Sequence, residues 1–517
     1  MSSIVLATLN TRYAHASLGL RCLRANLGEL RARSAIVEFV VDRRPEEIVE
    51  RLLEVLGSER PRIVGFGVYI WNVEATTRVV AQLKVVAPDV VVVVGGPEVS
   101  HEVDAQRICR LADYVVTGWG DVTFAKLAQA IVAGPRPSTK VHAGEQPPLD
   151  SIALPYREYT DEDLRHRYVY VEASRGCPFK CEFCLSALDR TAWPFPLEPL
   201  LAELARLYER GARHFKFVDR TFNLKAETGR AILEFFLARI DAHPDDPPFL
   251  HFELVPDRLP ERLRDPIARF PRGTLQFEIG IQTFNEDVQA LISRRQDNAA
   301  AEANLRWLRA NTNAHLHVDL IAGLPGEDLA SFARGFDRLV RLAPHEIQLG
   351  ILKRLRGAPI ARHTDAYGLR FNPEPPYNVL ATDRIDFATM QRAARFARYW
   401  DLVANSGRFV RTMPLLLAPE RPDVSPFARF LALSDWLFAS TGKTHAIANE
   451  RLYELLHEFL VARLDVPVAD ATAALAADYL ASGARGRLGF VDIEALAGRR
   501  RAVARATPPR QSRHLSG

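Results

Sequence analysis

Short β-branched apolar runs alternate with amphipathic segments along the first part of the chain. SIVLATLN (Ser3 to Asn10), AIVEFVV, RIVGFGV, VVVVVGG and YVVTGWG (Tyr114 to Gly120) are separated by segments such as PEEIVERLLEVL (Pro45 to Leu56) and EATTRVVAQLKVV (Glu74 to Val86). The runs are apolar throughout, which is the pattern of strands buried on both faces of a parallel sheet with helices packed on either side. Residues 1–135 therefore predict an α/β domain with a doubly wound, Rossmann-like sheet.

Residues 136–163 contain GPRPSTK, GEQPPLD and ALPYREY in whole or part, rich in Pro, Gly and polar residues, and predict a linker. The alternation then restarts with YVYVEAS, HFKFVD, FLHFEL, LQFEIGI, HLHVDLIAG and EIQLGIL, with helical patterns such as EPLLAELARLYERG between them. Six strand–helix units over 164–365 predict a partial (β/α)6 barrel, whose site belongs at the C-terminal ends of its strands. Beyond it the strand signal fades, and FARFLALSDWLFAST and RLYELLHEFLVARL predict a mainly helical region over 366–499. The basic tail, 500–517, has few large apolar groups to offset its ordering entropy and is expected to be disordered, a solvated tail rather than a nucleic-acid-binding arm.

At 517 residues the chain is too long for one core. Its 48% hydrophobic and 25% charged content is that of globular proteins. The balance of 67 Lys+Arg against 63 Asp+Glu leaves only +4, which argues against a nucleic-acid or membrane-surface partner. No apolar run approaches the ~18 residues of a membrane span, and the N-terminus lacks the features of a secretory signal. The expected location is the cytoplasm.

Five cysteines, three of them within eight residues, are no disulfide framework; in a reducing compartment such a cluster points to metal or catalysis. ASRGCPFKCEFC puts Cys177, Cys181 and Cys184 on the loop leaving the first strand of the second block, with gaps of three and two residues. Thiolates are the ligands of iron–sulfur clusters. Three of them on a four-iron cubane leave one iron open, which marks a reactive centre. The alternative, a structural zinc site, needs a fourth ligand, and only His166 and His214 could be brought in by folding.

This segment resembles the three-cysteine motif of the radical S-adenosylmethionine superfamily, including an aromatic residue, Phe183, before the last cysteine. The resemblance implies that Cys177, Cys181 and Cys184 hold a [4Fe-4S] cluster whose open iron chelates S-adenosylmethionine, with Phe183 beside the adenine ring. KFVDRTFN resembles the family's second-strand motif and implies Asp219 and Asn223. FEIGIQTF resembles the fourth-strand motif and implies Glu278 and Gln282, and HVDLIAGLPGE, the fifth-strand motif, implies Asp319 and a nucleoside-admitting backbone at Gly323. Glu253, ending the third strand, is the further candidate for the cosubstrate.

The sheet ahead of the barrel resembles the cobalamin-binding domain of one branch of that superfamily. GFGVYIWN, VVGGPEVS and VTGWGDVTF carry the likeness and imply Gly67, Tyr69, Asn72, Gly95, Gly96, Gly118 and Gly120 on the cobalamin side. The Asp-x-His-x-x-Gly motif of a lower-ligand histidine is missing; the loop reads LNTRYAHASLG, with His15 offset. Where relatives carry Gly-Glu-Gly-Glu, this chain has Trp119 and Asp121 in GWGD. The C-terminal region resembles an uncharacterised extension in one subgroup, with Tyr377, Asp383 and Arg384 as candidates for packing or substrate choice.

Together these features imply an enzyme: a cobalamin-dependent radical S-adenosylmethionine protein that methylates an unactivated carbon of a small-molecule or peptide substrate through a 5'-deoxyadenosyl radical, fed by a donor such as flavodoxin or ferredoxin. Ring contraction or cyclisation without methyl transfer is the alternative chemistry, and a non-catalytic cobalamin and cluster sensor is the alternative class. A methylthiotransferase needs three more cysteines upstream, where only Cys22 and Cys109 occur.

Overall fold

Strand β1 (Ile4–Asn10) is buried at all seven positions, as its apolar run requires. In the computed structural model, which describes residues 2–484 and 486–491, it pairs in parallel with β2 (Ser34–Val40) and β3 (Ile63–Gly67). Then come β4 (Val91–Gly95), β5 (Tyr114–Thr117) and β6 (Val141–Ala143), giving the all-parallel order β2-β1-β3-β4-β5-β6. One apolar layer contains Val5, Ile48, Val64, Val80 and Val92, and the other Leu6, Val91, Phe124 and Leu127. Strand order reverses between β1 and β3, the place where open doubly wound sheets accept ligands.

The predicted linker contains structure. Strand β6 lies within it and closes the sheet edge by backbone pairing, with exposed or half-buried side chains that leave no hydrophobic signature. Further along, Tyr156 and Tyr159 are buried, and their hydroxyls bond the backbone of Glu172 and Tyr170.

The described chain divides into two compact units. One runs through Arg220 and regains Lys353–Arg362 and Asn372–Asn378; the other holds Thr221–Leu352, His363–Phe371 and the described residues from Val379. The first unit adds β7 (Val169–Val171), the antiparallel pair β8 (Ser174–Arg175) and β9 (Trp193–Pro194), and β10 (His214–Phe217), which runs parallel to β7. In the second, β11 (Phe249–Leu254), β12 (Leu275–Gln282), β13 (His315–Ala322) and β14 (Glu346–Ile351) pair in parallel in sequence order. With β7 and β10 these are the six predicted strands.

The C-terminal region is mainly helical, with Phe387–Val403, Pro426–Thr441, Asn449–Leu464 and Val468–Ala481 as its long helices. Phe336, Phe396, Trp400, Phe427 and Phe430 form an aromatic core between them and the helix Leu329–Arg341. A small antiparallel pair, Arg370–Phe371 with Val379–Ala381, was not foreseen. The tail 500–517 lies outside the described residues. Among the described residues no helix is long and apolar enough to cross a membrane.

Candidate functional site

The pairing of β8 with β9 pinches together the two ends of the loop that carries the three cysteines. Gly176 starts this loop at φ +89°, and a Cβ there would lie 2.5 Å from Thr191 Oγ1 and 2.8 Å from Ala192 N, so no other residue fits. The Cys177 N–H donates to Asp189 O at 2.8 Å and the Cys184 N–H to Cys181 O at 3.1 Å. Cys177 is buried, while Cys181, Phe183 and Cys184 are half-buried. Glu182 between them is buried, forms an ion pair with Arg362, and accepts the Ile360 N–H at its backbone oxygen.

Burial pushes the Cys177 thiol up to about 11, and the charges of Cys184 and Cys181 add to the rise. The three thiols therefore act on one another from a single loop. Among the described residues no three His, Cys, Asp or Glu side chains gather around one point as a single ion would need. Three thiolates from one loop are the kind of donor that iron–sulfur clusters use, and the residues present fit such a cluster by their chemistry. Cys22 and Cys109 are buried and their thiols are raised by desolvation, which keeps them protonated.

Asp219 sits behind the loop, 2% exposed. Its carboxylate accepts the Ala173 N–H at 3.0 Å and the Ser174 hydroxyl at 2.6 Å, and burial lifts its pKa to about 7. It holds the chain between β7 and β8 on the approach to the cysteines.

A cavity of about 260 Å³ opens at the C-terminal ends of β3, β4 and β5. Gly67, Tyr69, Gly95, Gly96, Gly118 and Gly120 all line it. Gly96 has φ +112°, and a Cβ there would come within 2.5 Å of Val68 O. Asn72 is not on the wall: it is fully buried, accepts the Tyr69 N–H and donates to Leu9 O, holding the end of β1 to the loop after β3. His15 is also off the wall, with Nδ1 2.7 Å from the Tyr170 hydroxyl.

The polar side of this cavity was not legible beforehand. Arg175, the last residue of β8 before the cysteine loop, is held by Asp121 and Glu172, each at 2.8 Å, and its guanidinium lies 4.5 Å from the Trp119 ring centroid. Burial raises the Glu172 carboxyl. Trp119 Nε1 donates to Asp189 Oδ2 at 2.7 Å. Both departures in GWGD thus have structural partners: Trp119 reaches the cysteine loop, and Asp121 fixes Arg175. Glu98, after β4, accepts from Tyr377 at 2.7 Å and from Arg356 at 3.0 Å, so the returning segments grip the far side of the same sheet edge.

In the second unit, register puts Glu253, Glu278 and His317 in one lateral row, with Asp319 two residues beyond His317 on the same face. That face is half-buried, whereas the alternate residues Phe277, Ile279, Val318 and Leu320 form core. His251 Nε2 lies 3.0 Å from Glu278. Gln282 ends β12 at a bulge with φ 69°, and its Oε1 is buried with no hydrogen-bond partner among the described residues. Two expected contacts are otherwise engaged. Asn223 is fully buried, its amide bonded to the backbone of Val255 and Arg258. The space beside Gly323, at φ +86°, is filled by Val379 and Met390, 2.5 and 3.0 Å from where a Cβ would stand.

Comparison with known proteins follows this division. Residues 4–128 match the B12 binding domain, 171–339 the radical SAM superfamily, and 365–491 a protein family of unknown function. The cobalamin-dependent radical SAM methyltransferase TokK of Streptomyces tokunonensis is 26% identical over 359 residues, 62% of this chain and 51% of TokK. The chain spans about half the length of the curated relatives it matches. The fold resembles the methyltransferase TsrM of Kitasatospora setae, solved with tryptophan substrate and a SAM analogue, with TM-score 0.57 and 18% identity over 73% of this chain and 80% of TsrM. It also resembles the cobalamin-dependent S-adenosylmethionine radical enzyme OxsB, with TM-score 0.58 and 11% identity over 92% of this chain and 83% of OxsB. With a B12-binding domain followed by a radical SAM domain, the chain belongs to the radical S-adenosylmethionine proteins that carry a cobalamin-binding domain.

Proposed function

We propose that this protein is a cobalamin-dependent radical S-adenosylmethionine enzyme that methylates an unactivated carbon of a small-molecule or peptide substrate. Cobalamin, S-adenosylmethionine and a [4Fe-4S] cluster are the cofactors that go with its two domains. When bound, they supply a methyl donor and a 5'-deoxyadenosyl radical, chemistry that side chains alone do not provide. The observation that carries the reading is the Trp119–Asp189 bond, which fixes the wall of the cobalamin-side cavity to the cysteine loop within one unit.

In this reading Cys177, Cys181 and Cys184 hold the cluster, and Phe183 lies beside the adenine ring of the cosubstrate. Asp219 and Gly176 set the loop's path. Arg175, fixed by Asp121 and Glu172, keeps a permanent cation at the cavity wall. Glu253, Glu278, Gln282 and Asp319 bind the cosubstrate; the unpartnered Oε1 and left-handed backbone of Gln282 support this, because such strain and an unsatisfied polar atom persist where a ligand repays them. A flavodoxin or ferredoxin supplies the electron.

Anaerobically reconstituted protein should show the visible absorption of a thiolate-ligated cluster, bind cobalamin, and release 5'-deoxyadenosine under a low-potential reductant. Alanine at any of the three cysteines should remove the first and third while cobalamin still binds. Loaded wild-type protein that never releases 5'-deoxyadenosine would overturn the proposal in favour of a sensor. Labelled methyl from S-adenosylmethionine should appear in product, and an unlabelled product would point instead to ring contraction or cyclisation.

A further inference from the structure

The barrel strands of the second unit have a second functional-looking end, opposite the edge that carries Gln282 and Asp319. A cavity of about 520 Å³ opens where β14 begins, and one of about 190 Å³ where β11, β12 and β13 begin. They share Arg272, Arg309 and His345. The larger is walled by Val340 and Ile347 from the barrel and by Trp400, Met413 and Leu417 from the C-terminal helices, so the region of unknown function builds half of it. Its size lies in the range of small-molecule sites.

The charged groups on the walls are all cationic, which suits an anion. No Asp or Glu lines either cavity, and among the described residues Arg309 lies against the His345 ring and is bonded to no carboxylate. His345 Nδ1 accepts the Leu316 N–H at 2.9 Å, so the proton of the neutral ring is on Nε2. Arg309 Nη1 lies 2.7 Å from that Nε2, which sets one donor against another. An anion accepting from both would resolve the opposition. Trp400, 4% exposed, lends its ring to the apolar part of the larger cavity's wall.

We infer that this cavity is a second ligand site, separate from the cofactor edge, for a small carboxylic acid with an apolar body. The carboxylate would take the Arg309 fork and the His345 Nε2–H at the mouth, with Arg272 nearby. The apolar body would lie along Trp400, Met413 and Leu417. The inference stands on the cavity alone and does not depend on methyl transfer.

Calorimetry on the full-length, cluster-loaded protein tests it, with decanoate as probe and decanol and inorganic phosphate as comparisons. Decanoate should bind at one site per chain, at least tenfold tighter than either comparison, and quench tryptophan fluorescence in the wild type more than in Trp400→Phe. Arg309→Gln, a change at an exposed position, should weaken decanoate at least tenfold, and Met413→Trp should abolish binding by filling the cavity. Circular dichroism and cobalamin binding report whether either variant is misfolded, and Arg309→Gln alone decides if Met413→Trp fails. The inference is overturned if decanoate does not bind, if Arg309→Gln binds it as tightly as wild type, or if decanol or phosphate binds equally well.

Discussion

Trp119 Nε1 and Asp189 Oδ2, 70 positions apart in the chain, share a 2.7 Å hydrogen bond that joins the sheet domain to the cysteine loop. Asp189 is also bonded through its other oxygen to Thr191 and through its backbone to Cys177, so what moves Trp119 moves the first cysteine. A charge-assisted bond of this kind contributes about 1.5–3 kcal/mol. In a double-mutant cycle by chemical denaturation, Trp119→Phe and Asp189→Ala should therefore show a coupling of about 1–2 kcal/mol. Additive losses would mean that the two residues act independently. Trp119→Phe should also lower iron content after reconstitution while leaving the Arg175 stacking platform in place.

Gly176 offers a sharper separation of the two cofactors. Alanine there must adopt φ near +89° and push its methyl group into Thr191 and the Ala192 backbone. We expect Gly176→Ala to cost more than about 2 kcal/mol locally and to reduce bound iron several-fold. Cobalamin affinity should fall less than iron content, since the cavity glycines are untouched and only Arg175, next to Gly176, is shared with the cavity wall. Iron and cobalamin stoichiometries measured on the same preparation check this, and a parallel loss of both would show that the cavity and the loop do not fold separately.

The legible parts of the molecule are those whose signal is local. Seven consecutive buried residues in β1 and the valines of β4 announce a parallel sheet, and the three cysteines stand within eight residues of each other. The partners that fix them are distant. Arg356 meets Glu98 across 258 positions, and no periodicity encodes such a contact. Strand β6 went unseen because it gains stability from backbone pairing and buries none of its side chains fully. Gly323 misled for a different reason: a glycine at a strand end reads as room for a ligand, and here helix packing from Met390 uses the room.

Asp219 makes stability depend on pH in an unusual direction. Its folded pKa is about 7 against 3.8 in the open chain, so the folded state holds the proton more tightly. Stability should then fall as pH rises from about 4 to about 7 and level off above that. The full penalty is of the order of a few kcal/mol for a carboxyl this deeply buried. Asp219→Asn keeps an acceptor for one donor and can reorient toward the Ser174 hydroxyl, so it should fold and flatten this dependence. Denaturation midpoints of both proteins at pH 5 and pH 8 supply the comparison. If the two proteins track each other, Asp219 is ionised across the range.

Glu98, 3% exposed, is held by Arg356 and Tyr377, and its carboxyl is raised by burial in spite of both. Removing the cation leaves a buried carboxylate with one neutral donor. Arg356→Gln should therefore cost about 2–4 kcal/mol, toward the lower end because Arg356 keeps some solvent contact. Tyr377→Phe removes only a hydroxyl and should cost about 1–2 kcal/mol. The decisive variant is the double change Arg356→Gln with Glu98→Gln. It replaces the ion pair by two amides that can bond each other, so it should recover part of the loss seen with Arg356→Gln alone. Urea denaturation gives all three values. If the double variant is the least stable, the pair is strongly net-favourable, and the segment after β14 is held to the sheet edge by charge rather than by packing.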